Sequence, residues 1–238
     1  MLLGTSYSCT DLDVQESTET ATDYKLLTEH NDEASYWRKR HLINYFVMVA
    51  LGSEYGPDFR ISRRWHSDMK VFVKGDYELF LYEEMIKIVG EINDLAQDGF
   101  KVEIVDQEED ANFTAYIMTK EEYLQFHPEA SERIKVNDGL FSLTMDDFTI
   151  VNGNLFIDAE LRSQEHQKHL IREELTQSLG FGNDIEYYPN SIFYQQPSRV
   201  TEYSLNDKEI IRLLYHPNMI AGLSEQTVRS VLADILGI

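Results

Sequence analysis

One amphipathic run constrains this chain more than any other. From Ser163 to Leu179 the apolar residues recur with a helical period, and Gly180 and Gly182 close the run. At about 3.6 residues per turn, Ile171, Leu175, Ser178 and Leu179 share one side, which predicts a face buried in a core. His166, His169, Glu173 and Gln177 form a stripe roughly opposite, and Glu174 lies on its flank. Most stripes of this kind are only solvated faces. This one follows a pair of strand-like runs and ends in the glycine-containing loop Gly180-Phe181-Gly182-Asn183-Asp184. Together these predict a helix that floors a cleft beside a sheet.

The flanking patterns predict the rest of that architecture. Asn31 to Ala50 reads as a helix capped by Asn31 or Asp32 and ended at Leu51-Gly52. Met69 to Val73 reads as a strand. Leu79 to Leu95 is a helix with Leu81, Met85, Ile88, Val89, Ile92 and Leu95 on a broad face. Strands are expected at Phe100–Val105, Ala111–Met118, Leu140–Met145 and Phe148–Ala159, with a partly helical link over 121–133. Asn152-Gly153 interrupts the last strand and carries a strong two-residue hairpin signal. Helices at Leu205–Tyr215 and Ser224–Leu236, with Ser204 and Ser224 as N-caps, complete the chain. The expected class is α+β: a mixed sheet of about five strands with helices packed on it.

Composition narrows the function. The formal net charge of −21 repels phosphate backbones, so nucleic acid is not an expected partner. The basic runs Arg38-Lys39-Arg40 and Arg60-Ile61-Ser62-Arg63-Arg64 read as salt-bridged helix ends against that background. No window is apolar enough for a membrane span. The single cysteine, Cys9, excludes an internal disulfide. It follows Ser8 and precedes an acidic run, as at the end of a bacterial lipoprotein signal whose n-region is missing. On this reading residues 1–23 are a signal remnant and a disordered acidic tether, Cys9 carries a lipid anchor, and the protein sits in the cell envelope. The alternative is a cytoplasmic protein with an unremarkable exposed thiol. Residues 24–238 then form one domain, with an upper part to about residue 182 and a C-terminal part from about 183.

The run at 173–183 also fits the frame of a zinc-peptidase helix. In H-E-x-x-H proteins two His hold Zn²⁺ and the Glu activates its water, and metzincins add a Gly and a third His. Here Glu173, Gln177 and Asn183 stand at the three ligand positions, Glu174 at the base and Gly180 at the Gly. Neutral amides are weak zinc donors, so no cofactor is assigned and zinc, the ion of that frame, is disfavoured. A shifted site using His166, His169 and Glu173, with Asp184 as a further candidate, can be drawn, but no spacing forces it to converge. Ser191-Ile192-Phe193-Tyr194 is similar to the Ser-Ile-Met turn under the metzincin metal, with Phe193 at the Met position. Leu205 to Tyr215, with Asp207, is similar to the C-terminal metzincin helix.

The combination REELTQSLGFGND, PNSIFY and LNDKEIIRLLYHPNMIAGL resembles a bacterial family, domain of unknown function 2927, over about residues 33–223. The resemblance implies a metzincin-like zincin fold with substituted ligands and no established activity. Three readings follow. The cleft binds a peptide or protein by strand addition, with Glu173, Glu174 and Gln177 on its floor and Asn183 and Asp184 ordering the loop. Alternatively Glu174 is the general base of a hydrolase with a non-standard or absent metal. In the third reading Glu173 and Gln177 merely brace helix to loop in a closed cleft. Tyr187-Tyr188 and Phe193-Tyr194 are candidates for a groove rim, with packing the competing use.

Overall fold

The computed structural model describes residues 21–52 and 60–238. Cys9 and the proposed tether up to residue 20 lie outside them. The chain divides into two compact units, Met1–Arg38 and Lys39–Ile238. In the first, Tyr36 and Trp37 meet edge-on at 5.6 Å between ring centres and both are exposed. Helix α1 covers Ala21–Leu51, so it begins before the expected caps Asn31 and Asp32. Residues 21–29 (ATDYKLLTE) include Ala, Lys, two Leu and Glu, good helix formers, and no Pro or Gly interrupts them.

The second unit is built on a six-stranded sheet. Its strands are β1 (Arg64–Trp65), β2 (Met69–Gly75), β3 (Val102–Ile104), β4 (Phe113–Met118), β5 (Gly139–Asp146) and β6 (Thr149–Asp158). The helices beyond α1 are α2 (Leu79–Leu95), α3 (Lys120–Phe126), α4 (Gln164–Gln177), α5 (Leu205–Leu214) and α6 (Glu225–Leu236). The order β6-β4-β2-β3 is parallel throughout, and β1 extends it by pairing with the start of β6. Only β5 is antiparallel, and it lies along the other side of β6. The class is therefore α+β, with a mostly parallel sheet carrying one antiparallel edge. The two-residue strand β1 was not expected. Its Trp65 is fully buried and donates from Nε1 to the Ser178 carbonyl at 2.9 Å.

Alternation divides the sheet between two cores. Phe113, Ala115, Ile117, Leu155 and Ile157 face the main core, which includes buried residues of α1, α2, α4, α5 and α6. Tyr116, Met118, Leu140 and Phe156 face a smaller cluster with Tyr123, Ala130 and Ile134. Helix α2 has the predicted bounds and buries Leu81, Met85, Ile88, Ile92 and Leu95.

The hairpin turn is misplaced by the sequence reading. It falls at Asp147-Phe148, both in the left-handed region with φ of 44° and 65°. Asn152-Gly153 instead lies inside β6. Gly153 is there for closeness: a Cβ would come within 2.7 Å of the Ser142 carbonyl and 2.8 Å of Leu143 Cδ2. Thr144 pairs with Asn152 but Met145 with Ile150, so Val151 is an extra residue in a bulge.

Candidate functional site

Helix α4 begins at Ser163, whose side chain accepts from the His166 amide as expected of an N-cap. Its far end is tightly fixed. Tyr215 Oη donates to the Leu179 carbonyl at 2.9 Å, beside the Trp65 bond to Ser178. Gly180 has φ of +128°, and a Cβ there would stand 2.2 Å from the Arg63 carbonyl oxygen. Only glycine meets both conditions. The second basic run is likewise architectural. Arg60 pairs with Glu225, Arg63 donates to the Ala50 carbonyl, and Arg64 pairs with Asp98 and donates to the Leu214 and Met219 carbonyls.

One side of α4 carries an ion cluster that periodicity did not show. Arg172 is fully buried and donates to Glu91 and Glu84 of α2 at 2.8 Å each. Its guanidinium lies 4.5 Å from the Tyr203 ring centre, and Tyr203 Oη is 2.7 Å from Thr176 Oγ1. A pattern of apolar spacing counts Arg172 and Glu84 as surface, so it misses a buried charge pair by construction.

The other side of α4 floors a cleft of about 380 Å³. Its walls are the start of β5, from Asp138 to Phe141, and the segment Tyr194–Ser198. His166, His169, Glu173, Glu174, Gln177 and Asp184 all line it. The cleft is thus built from the predicted stripe. His169 is pinned between two acceptors. Its Nδ1 donates to the Val200 carbonyl at 2.8 Å, and its Nε2 lies 3.3 Å from Glu173 Oε2. Burial opposes charge on the ring, but the Glu173 carboxylate and the Val200 bond outweigh it and raise its pKa above the usual histidine value. Two acceptors on one ring favour the doubly protonated imidazolium. Gln177 Nε2 donates to Asp184 Oδ1 at 2.7 Å.

Glu174 occupies the most telling place. It is 7 % exposed, and a Cβ built at Gly139 would fall 2.8 Å from its Oε1. Its carboxylate therefore lies directly against the first residue of the edge strand. Asn183 faces elsewhere: its Nδ2 donates to the Met48 carbonyl at 3.2 Å.

The downstream motif is buried. Ser191 and Phe193 are fully enclosed, and Ser191 Oγ donates to Asp207 Oδ1 at 2.8 Å. Asp207 also accepts from Tyr45 Oη at 2.5 Å, the Ser204 amide at 2.9 Å and the Ile192 amide at 3.3 Å. Burial and the Asp207 charge push the Tyr45 phenol pKa far up, so it stays a donor. Of the aromatic rim candidates, Tyr194 lines the cleft and Tyr187 and Tyr188 are exposed, whereas Phe193 packs on Phe181 in the core.

These positions bear on metal binding. Among the described residues, no three His, Cys, Asp or Glu side chains are arranged to hold a metal ion. At the ligand positions of the zinc-peptidase frame, Glu173 is engaged with His169, Gln177 with Asp184 and Asn183 with a backbone carbonyl. This donor set does not fit zinc. Among the described residues, no helix is long and apolar enough to cross a membrane.

Fold and site together define an α+β protein with a polar cleft between an antiparallel edge strand and a helix that carries carboxylates. Residues 39–234 match the family described as Protein of unknown function (DUF2927). The chain belongs to that family. No curated protein matches it.

Proposed function

We propose that this chain is a non-catalytic peptide- or protein-binding domain built on a metallopeptidase-like scaffold, with α4 in the place of the zinc helix. The observation that carries the reading is the edge of β5. The Asp158 amide bonds to the Asp138 carbonyl, so the 138/158 pair is a hydrogen-bonded rung. Alternation then turns the backbone groups of Gly139, Phe141 and Leu143 away from β6. Arg133 reaches the Phe141 carbonyl from that outer side at 3.2 Å, in keeping with this orientation. Among the described residues no other strand pairs with β5. An extended segment laid in the cleft adds a strand there. The internal pairs on the floor, His169 with Glu173 and Gln177 with Asp184, support binding over metal hydrolysis.

The test is fluorescence polarisation with a library of capped linear peptides. Peptides that bind are expected to lose affinity when alternate amides are N-methylated, and to keep it when the intervening ones are. Phe141→Pro, which removes one outward N–H from an edge strand where proline is tolerated, should weaken binding at least about tenfold. If no peptide in the library binds, the reading fails. The alternative is a hydrolase with Glu174 as base, and what favours it is the position of Glu174 in the cleft. It requires peptide cleavage, seen by mass spectrometry, that Glu174→Gln abolishes. Placement in the envelope through a lipid on Cys9 is proposed from the sequence, and metabolic labelling with an alkynyl fatty acid would show it.

A further inference from the structure

We infer that the cleft selects an extended segment with a lysine or arginine at one defined position, the residue that pairs with Gly139. This rests on the strand-addition reading above and specifies its ligand. Gly139 pairs with Ile157, which points into the main core, so a side chain at 139 would point toward α4. Leu170 Cδ2 and Glu174 stand where that side chain would be. Residues directly opposite on neighbouring strands point to the same face, with Cβ atoms about 4.5–5.5 Å apart. The ligand residue opposite Gly139 therefore also points toward α4. It enters beside the Glu174 carboxylate, and the missing side chain of Gly139 leaves it room.

Charge favours a basic residue there. Glu173 is balanced by His169, and Asp138 by Lys120 at 2.8 Å. That leaves Glu174 and Asp184 as the negative groups at this end of the floor, with Gln177 beside them. His166 also lines the cleft, one helical turn or more before Glu174. The nearest permanent cation is Arg133, which sits over Phe141 two residues along the strand. A basic side chain is thus attracted opposite Gly139 and repelled opposite Phe141. The pattern selects by register as well as by charge. The chain's net charge of −21 raises the local concentration of any basic segment as it approaches.

The experiment is a positional-scanning library of capped linear peptides bound to the full chain at low and moderate salt. One position should prefer Lys or Arg over Ala by at least about tenfold, and the position two residues away should reject them. In Glu174→Gln the preference should fall to within about twofold while the remaining affinity of Ala-containing peptides persists. Asp184→Asn should weaken the preference in part, which guards against a folding defect in the first variant. Binding with no basic preference, or with one that survives Glu174→Gln, overturns this inference and leaves peptide binding standing. No binding by any peptide overturns both.

Discussion

Asp207 and Glu174 are both buried carboxylates on helices of one domain, yet they sit in opposite kinds of place. Asp207 is fully enclosed and gathers Tyr45, Ser191 and two backbone amides around its oxygens. It closes a capping box with Ser204 and locks the 191–193 turn to α1 and α5. Glu174 lines a cleft and presses against a glycine at a sheet edge. A carboxylate surrounded by donors from its own fold specifies architecture. One set beside backbone that has no strand partner specifies what the fold meets. The two halves of the peptidase-like frame, 173–183 and 191–194, divide along this line.

The comparison can be broken by substitution. Asp207→Ala should cost the most, on the order of 4 kcal/mol, because it strands several buried donors and removes a cap. Chemical denaturation with an unchanged slope would measure it. A loss below about 1 kcal/mol would show that the Asp207 network does not brace the turn. Gly180→Ala should cost about 2–4 kcal/mol, since the left-handed backbone and the Arg63 carbonyl both resist a methyl group.

The third test concerns pH. The His169 pKa is raised in the folded state, so its stabilising contribution is complete below the unfolded histidine value of about 6.5 and is lost as pH rises through the folded value. Stability should therefore drop on the alkaline side of the usual histidine range, and His169→Gln should flatten that drop. An unchanged profile in the variant would rule out the imidazolium pair. Glu174→Gln should change stability least, by within about 1 kcal/mol, while changing ligand preference. A loss as large as that of Asp207→Ala would erase the distinction between the two carboxylates.

Much of this molecule is legible in the chain where local chemistry decides. Ser163, Ser204 and Ser224 mark three helix starts, and the α2 boundaries follow from its apolar face. The stripe His166-His169-Glu173-Gln177 does face one cleft. What stayed hidden depends on distant partners. Asp147-Phe148 carries no turn-forming glycine, and the pairing of β5 with β6 imposes the turn on it. Asn152-Gly153 has the local signature but is drawn into β6 by close packing. Arg172 looks like a surface residue until α2 supplies Glu84 and Glu91. The parallel strand order is set by non-adjacent segments, which no periodicity records.

The hairpin of β5 and β6 also has a kinetic consequence. Its strands are joined by two residues, whereas every other rung of the sheet closes a much longer loop. Short loops close fastest and at the lowest entropic cost. The edge strand should thus be among the first parts of the sheet to form, before α4 folds onto it. Until then its outer edge is exposed on both sides, and an acidic chain with few neighbours of its own kind is well suited to surviving that interval without self-association.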